Sequence, residues 1–124
     1  MKIRVYYEDT DAGGIVYHSN YLNFCERARS EVFFRHGLSP VFGGGQFVAR
    51  KIEADFILSA KLGDTLEVVN ELLEVKGASF LLVQRIFKEQ KMIFELRIML
   101  AYVTFEGKPQ KITPDIKRLI ESLF

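Results

Sequence analysis

The sequence has few of the features that build disulfides and membrane spans. It contains 1 cysteine among 124 residues, so Cys25 has no partner for a disulfide within the chain. No N-terminal apolar segment resembles a signal peptide or a transmembrane helix. Together these absences predict a cytoplasmic protein that does not insert into a membrane.

An excess of charge of either sign is also missing. Lysine and arginine number 17 against 16 aspartates and glutamates, which gives a formal net charge of +1. Binding to nucleic acid requires a concentrated positive surface, and no basic block in this chain is interleaved with aromatic residues. We therefore expect no nucleic-acid partner.

Large apolar side chains are abundant instead. Hydrophobic residues make up 48% of the chain, and 11 Phe and 5 Tyr supply bulky side chains. A chain of this length removes about two thirds of its unfolded surface from water, which is enough for one core. The composition therefore predicts one folded domain over residues 1–124.

The N-terminal third predicts a strand followed by a long helix. Residues 2–7, KIRVYY, are short and β-prone. Between residues 20 and 36 apolar side chains recur at helical spacing, with Ser19 or Asn20 as the N-cap and Gly37 as the C′ residue. A helix of this length needs a sheet to cover its apolar stripe.

The remainder predicts long antiparallel strands and a short helix. Three consecutive glycines at residues 43–45 indicate a mobile loop, which we interpret as a flexible lid or the edge of a pocket. Thr113 as N-cap and Pro114 at the first helical position predict a C-terminal helix. Alternating apolar residues separated by turn signals predict four strands between these features, at residues 47–58, 64–76, 78–89 and 91–105.

This order of elements favours an α+β fold in which a curved antiparallel sheet of about five strands wraps one long central helix. Apolar residues also fall on the sheet face opposite that helix, namely Val69, Leu73, Val83, Met99 and Val103. Exposed apolar sheet faces tend to bind a partner. We therefore expect a homo-oligomer.

Residues 8–18, EDTDAGGIVYH, place the acids Asp9 and Asp11 one residue apart and follow them with two glycines and a histidine. Neighbouring carboxylates repel each other and glycine loses backbone entropy on folding, so this segment opposes folding. Such a cost suggests a functional site. The alternative is a turn in which aspartate side chains bond to the backbone.

The segment VYYEDTDAGGIVYHSNYLNFCERARSE, residues 5–31, closely resembles the opening motif of the hotdog-fold acyl-CoA thioesterases. Within them it is similar to the 4-hydroxybenzoyl-CoA thioesterase group, in the branch associated with the Tol-Pal cluster. Weaker similarity, including RKIEADFILSAKLGD, extends over nearly the whole chain. The resemblance implies a hotdog architecture, active sites formed between the subunits of a dimer, and a homotetramer built from two such dimers.

The resemblance also implies roles for individual residues. In the family, the acid directly before the small residue and glycine pair is catalytic, which corresponds to Asp11. The residue seven positions later offers its backbone N–H to the thioester carbonyl, and here that residue is His18; this role transfers more safely than one for the imidazole. The family therefore implies an acyl-CoA thioester hydrolase without a cofactor, acting on an acyl group carried by coenzyme A or by an acyl carrier protein.

The residue types suit that chemistry. Asp11 can attack the carbonyl to form a mixed anhydride, or act as general base for water. Free N–H groups at the start of the helix can stabilise the oxyanion. Gly13 and Gly14 let the backbone bend and the thioester approach. Tyr7 either reaches the site or packs as an ordinary aromatic residue.

The remaining polar residues of interest are predicted to have structural or binding roles rather than catalytic ones. Asp9 is predicted to bond the turn backbone, and Cys25 to be a core residue. Arg50 and Lys51 are candidates to bind the phosphates of coenzyme A, with a solvated surface charge as the alternative for each.

Two rival functions remain open. A non-hydrolytic binder of acyl-CoA or acyl carrier protein would keep the fold and use Asp11 only as a turn residue. A metal-dependent phosphatase would use Glu8, Asp9 and Asp11 as oxygen ligands. Such sites usually draw further acids from distant segments, which this sequence does not offer, so we predict no metal site.

Overall fold

One antiparallel sheet carries the fold in the computed structural model, which describes residues 1–124. Two helices accompany it, α1 (His18–Phe34) and α2 (Pro114–Leu123). The strands are β1 (Lys2–Arg4), β2 (Val41–Phe42), β3 (Gly45–Phe56), β4 (Thr65–Val75), β5 (Ser79–Lys88) and β6 (Lys91–Thr104). They lie in the order β1-β4-β5-β6-β3-β2, and every neighbouring pair is antiparallel.

The predicted α+β architecture is confirmed. The four long strands β3 to β6 begin and end within two residues of the bounds expected from the alternating pattern. The sixth strand, β2, has only two residues and was not predicted, because so short a segment carries no periodicity.

The core lies between α1 and the inner face of the curled sheet. Tyr21, Phe24, Cys25 and Ala28 are buried on one stripe of α1, and the Tyr21 ring stacks on Phe94 of β6 with centroids 5.1 Å apart. Successive side chains of a strand point to opposite faces, so one alternating set on β6 joins this core. Its members are Phe94, Leu96, Ile98, Leu100 and Tyr102.

The first strand is shorter than predicted. The expectation of a strand over residues 2–7 is wrong beyond Arg4, because a 3-10 turn occupies Tyr7–Asp9. The Asp9 carboxylate accepts the Tyr6 N–H at 2.8 Å and so removes that donor from any strand pairing.

Helix α1 begins earlier than predicted and without a side-chain cap. Tyr17 occupies the N-cap position and makes no capping hydrogen bond, so the expected capping by Ser19 or Asn20 is wrong. The Asn20 amide instead donates to the Asp9 carbonyl at 2.9 Å. At the other end Gly37 is the C′ residue, as predicted, with φ at +70°.

The glycine run forms a packed turn between β2 and β3. Gly43 and Gly44 have positive φ, and a side chain at Gly43 would collide with the Tyr102 hydroxyl, which donates to the Phe42 carbonyl at 2.9 Å. A cavity lies beside this turn and is lined by the flanking Val41 and Gln46 but not by the glycines, so the role of the run as a lid or a pocket edge stays a prediction.

Helix α2 begins as predicted, since the Thr113 hydroxyl accepts the Ile116 N–H at 3.3 Å. No helix combines the length and the apolar character that crossing a membrane requires.

Less of the apolar outer face of the sheet is exposed than predicted. Val69 and Leu73 are exposed, but Val83 and Val103 are already buried within the chain. Val103 is covered because the segment after β6 folds back and Pro109 pairs with it.

Candidate active site

The segment before α1 that carries the acids, residues 8–17, is called the acidic turn below; it is anchored at its base and open at its tip. Val16 is buried and its N–H donates to the Ala60 carbonyl at 2.9 Å. At the tip, the Asp11 N–H donates to the Ile15 carbonyl at 2.9 Å, and the Gly14 N–H donates back to the Asp11 carbonyl at 3.0 Å. Gly14 has φ at +78°, a conformation that side chains disfavour, so the turn needs glycine there.

Asp11 presents its carboxylate at this tip. Its side chain is exposed, and Oδ1 accepts the Gly13 N–H at 2.8 Å while Oδ2 makes no hydrogen bond within the chain. A Cβ at Gly13 would lie 3.2 Å from the same Oδ1. Gly13 therefore lets an amide approach the carboxylate without crowding it.

Asp9 has a structural position, as predicted. Its side chain is buried, and its backbone carbonyl accepts the Tyr17 N–H and the Asn20 amide, each at 2.9 Å. These bonds dock the start of α1 onto the turn. With Asp9 committed to the backbone, the neighbouring acids form no cluster of three ligands for a metal ion.

The N-terminus of α1 leaves its first amides free. The N–H groups of His18 and Ser19 make no hydrogen bond within the chain. Unpaired amides at a helix start carry partial positive charge and favour a negatively charged oxygen. The absence of a side-chain cap at Tyr17 therefore leaves two donors available for a ligand.

Asp11 and His18 line one groove of about 290 Å³. The His18 ring is exposed, with its centroid 4.4 Å from that of Tyr17 and 6.4 Å from that of Phe56, which it meets edge-on. The other lining residues are mostly apolar: Ile15, Val16, Tyr21, Phe56, Ile57, Leu58 and Ser59. An acyl chain beside a carboxylate would suit this composition.

The far wall of the groove was missed by sequence reasoning. This wall consists of Phe56, the last residue of β3, and residues 57–59 after it, and none of them carries a local signal of a site. Asp11 lies in a separate part of the chain, seven residues before the start of α1. Only the register that places the end of β3 beside Tyr21 brings the two segments together.

None of the five predicted substrate-binding residues lines the groove of the same chain: Tyr7, Gly13, Gly14, Arg50 and Lys51. Tyr7 is 82% exposed, so the alternative that it packs as an ordinary aromatic residue is wrong. Arg50 and Lys51 are exposed on β3, and Lys51 pairs with Glu53 at 3.3 Å. Arg50 precedes Phe56 by six residues, about 20 Å along a strand.

Cys25 is a core residue, as predicted. It is fully buried on α1, and burial raises the pKa of its thiol to about 12. A thiol in that state is not a nucleophile at neutral pH.

A helix held inside a curled antiparallel sheet, with a carboxylate in the same groove as its uncapped N-terminus, is the arrangement expected of a thioesterase of the hotdog fold. The model of the thioesterase superfamily matches residues 13–95, and the chain belongs to this family. The matched range begins just after Asp11.

Named relatives agree with this assignment. The chain is 49% identical over 87 residues to the acyl-CoA thioesterase YbgC of Helicobacter pylori, a match that covers 70% of this chain and 65% of that protein. It is 38% identical over 126 residues to the acyl-CoA thioesterase YbgC of Haemophilus influenzae, covering 98% of this chain and 93% of that protein.

Solved structures agree as well. A probable thioesterase from Bartonella henselae superposes with a TM-score of 0.85 at 32% identity, covering 91% of this chain and 97% of that one. These matches confirm the predicted family and hotdog fold, and they support the predicted class of enzyme, an acyl-CoA thioester hydrolase.

Proposed function

We propose that this protein hydrolyses acyl-CoA thioesters in the groove between Asp11 and the N-terminus of α1. The observation that carries the proposal is the meeting of an exposed carboxylate and an uncapped helix start in one groove. The names of the relatives support the same substrate class.

Asp11 activates the attack on the thioester carbonyl. By one route its carboxylate takes a proton from water, whose oxygen then bonds to the carbonyl carbon. By the other route the carboxylate itself attacks and forms a mixed anhydride, which water later hydrolyses. In both routes the carbon–sulfur bond breaks and the thiolate takes a proton. Rapid-quench detection of an acyl adduct on Asp11 would identify the second route.

His18 and Ser19 stabilise the oxyanion through their backbone amides. The carbonyl oxygen becomes negatively charged as the tetrahedral intermediate forms, and free N–H groups at a helix start are suited to receive it. Loss of one such donor typically costs about 100- to 1,000-fold in kcat. The imidazole of His18 is exposed beside Phe56 and serves to position the substrate.

The protein acts as a homo-oligomer in which β3 is the dimer edge. Strand β2 pairs only with Gly45 and Gln46, so one side of β3 is unpaired over residues 47–56. Unpaired strand edges bind other strands, and Ile52 and Phe56 on this edge are exposed apolar residues. The exposed Val69 and Leu73 on the outer sheet face would then join two dimers into a tetramer.

Pairing of two β3 edges about a two-fold axis also accounts for the distance of the basic residues from the groove. Antiparallel pairing brings the Phe56 end of one strand near the N-terminal half of the other. Arg50 and Lys51 of the partner subunit would then lie near the groove and bind the coenzyme A phosphates. Sedimentation of the wild type and of Ile52→Lys tests this assembly, and a monomeric wild type would contradict it.

The decisive experiment compares two acids of the same turn. Asp11→Asn keeps an oxygen for the Gly13 amide but removes the charge, so we expect kcat to fall at least about 100-fold with an unchanged melting temperature. Glu8→Gln, at a neighbouring exposed acid, is the matched control and should keep full activity. Full activity in Asp11→Asn would remove this carboxylate from the mechanism.

The second candidate is a non-hydrolytic binder of acyl-CoA or acyl carrier protein. It would show binding of acyl thioesters to the wild type without turnover, and a panel of thioesters on both carriers separates the possibilities. The cytoplasmic location remains a prediction of the sequence.

A further inference from the structure

A second pocket lies between the C-terminal half of α1, strands β2 and β3, and Phe124, which follows α2. Its volume is about 290 Å³, near the lower end of the roughly 300–1,000 Å³ typical of small-molecule sites. It shares no lining residue with the Asp11 groove. Four phenylalanine rings form most of its apolar wall: Phe33, Phe47, Phe80 and Phe124.

Arg29 brings an unpaired positive charge to this apolar pocket. Arg29 is half-buried, and its guanidinium donates one hydrogen bond, from Nη1 to Gln84 Oε1 at 2.8 Å. It forms no ion pair with any carboxylate, and its other N–H groups make no hydrogen bond within the chain. Burial lowers the pKa of Arg29, yet a guanidinium remains charged at neutral pH.

The position of this guanidinium is set by a buried amide. Gln84 is fully buried, and its Nε2 donates to the Cys25 carbonyl at 2.8 Å and to Asn70 Oδ1 at 2.7 Å. Both amide protons are therefore committed, which directs Oε1 toward Arg29. The charge is held in place before any ligand arrives, and such preorganisation favours binding.

One negative charge also lines the pocket. Glu26 accepts the Ser30 hydroxyl at 2.8 Å and is exposed, so solvent screens it. Arg29 is less exposed than Glu26, so solvent screens its charge less and it acts more strongly on a bound group. Glu26 weakens the attraction for an anion without cancelling it.

We propose that this pocket binds a small monocarboxylate with an apolar body, its carboxylate on Arg29 and its body among the phenylalanine rings. Arginine and carboxylate match as a bidentate pair, which supplies the missing counter-ion. If β3 edges pair as proposed, the pocket adjoins the groove of the other subunit and the ligand is an acid released by hydrolysis. The binding itself does not depend on that activity.

The first test follows amide chemical shifts by NMR during titration with hexanoate and benzoate. The neutral controls are 1-hexanol and benzyl alcohol, which keep the same bodies. We expect each acid to bind at least about tenfold more tightly than its alcohol, with shifts at Phe33 and Phe124 and an unchanged affinity in Asp11→Asn. The tighter of the two acids identifies an aliphatic or an aromatic body.

Substitutions in the pocket give the second test. Ala49→Leu fills the pocket and should abolish binding, whereas Val48→Leu, on the opposite face of β3, should leave it unchanged. Arg29→Met should remove the preference for the acid, and Glu26→Gln should tighten acid binding. Three results would overturn the proposal. They are the absence of shifts at about 10 mM acid, a concentration that detects even weak binding, equal affinity for acid and alcohol, and unaltered binding in Ala49→Leu. The alcohol comparison and Ala49→Leu decide the matter even if Arg29→Met does not fold.

Discussion

Replacing Gln84 by leucine should destabilise the fold by removing a buried polar connection between α1 and the sheet. The wild-type amide makes three hydrogen bonds, to Arg29, to the Cys25 carbonyl and to Asn70. Leucine has a similar volume, so the substitution leaves no large cavity. The cost arises because groups that had partners lose them.

The magnitude depends on how many of these groups find water. A buried group left unsatisfied costs about 1–3 kcal/mol. Arg29 and Asn70 are only half-buried and can reach solvent. The Cys25 carbonyl has two lone pairs, and one of them can still accept a hydrogen bond within α1. We therefore expect a loss of about 3 kcal/mol in the free energy of unfolding, which corresponds to a fall of about 10 °C in melting temperature for a chain of this length.

Urea unfolding followed by circular dichroism measures this loss. The matched control is Gln46→Leu, since Gln46 is half-buried and its side chain makes no hydrogen bond; its effect should stay within about 0.5 kcal/mol. Protein concentration must be held constant because association shifts apparent stability. A loss below about 1 kcal/mol in Gln84→Leu, or an equal loss in both variants, would refute the reasoning.

Three further predictions follow from other buried or paired groups. Cys25 should not react with a disulfide reagent at about pH 8 in the native protein, because burial raises its pKa to about 12, and should react rapidly in urea; fast labelling of the native protein would contradict its position. Tyr21→Phe leaves the buried Ala60 N–H without its acceptor and should cost about 1–3 kcal/mol in urea unfolding; no measurable cost would mean that this N–H has another partner. Burial raises the pKa of Asp64, but hydrogen bonds from Lys88 and a backbone amide outweigh it and hold the pKa below its usual value. The stability from this pair is present above about pH 4 and lost as the pH falls through the lower folded pKa, so Lys88→Met should flatten the acid side of the stability profile, and an unchanged profile would count against the pair.

Much of the fold could be predicted because its signals are local. Around Glu95 and Arg97, strand β6 alternates apolar and charged residues, and the structure buries the apolar residues of this part, Phe94, Leu96 and Ile98. Thr113 followed by Pro114 marks the start of α2, and Gly37 the end of α1. Where prediction was wrong, a side chain made a contact that local patterns do not encode: Asp9 took the Tyr6 amide and ended β1 early.

The candidate site likewise has features that could be predicted from the sequence and one that could not. The sequence shows the spacing of the carboxylate, the glycines and the histidine directly, because all of them lie within the eight positions 11–18. The uncapped start of α1 was not readable, because Ser19 and Asn20 are both good capping residues and neither one caps. The Asn20 side chain was instead committed to Asp9, a choice made by the docking of helix onto turn.

The sequence by itself determined the order of elements, the two faces of the long strands and the acidic turn ahead of α1, because each depends on residues close together in the chain. Only the tertiary structure decided that Phe56 faces Asp11 across a groove and that Gln84 holds Arg29 in a second pocket. Those pairs lie 45 and 55 residues apart, and their meeting depends on the register of the sheet and on how α1 lies across it.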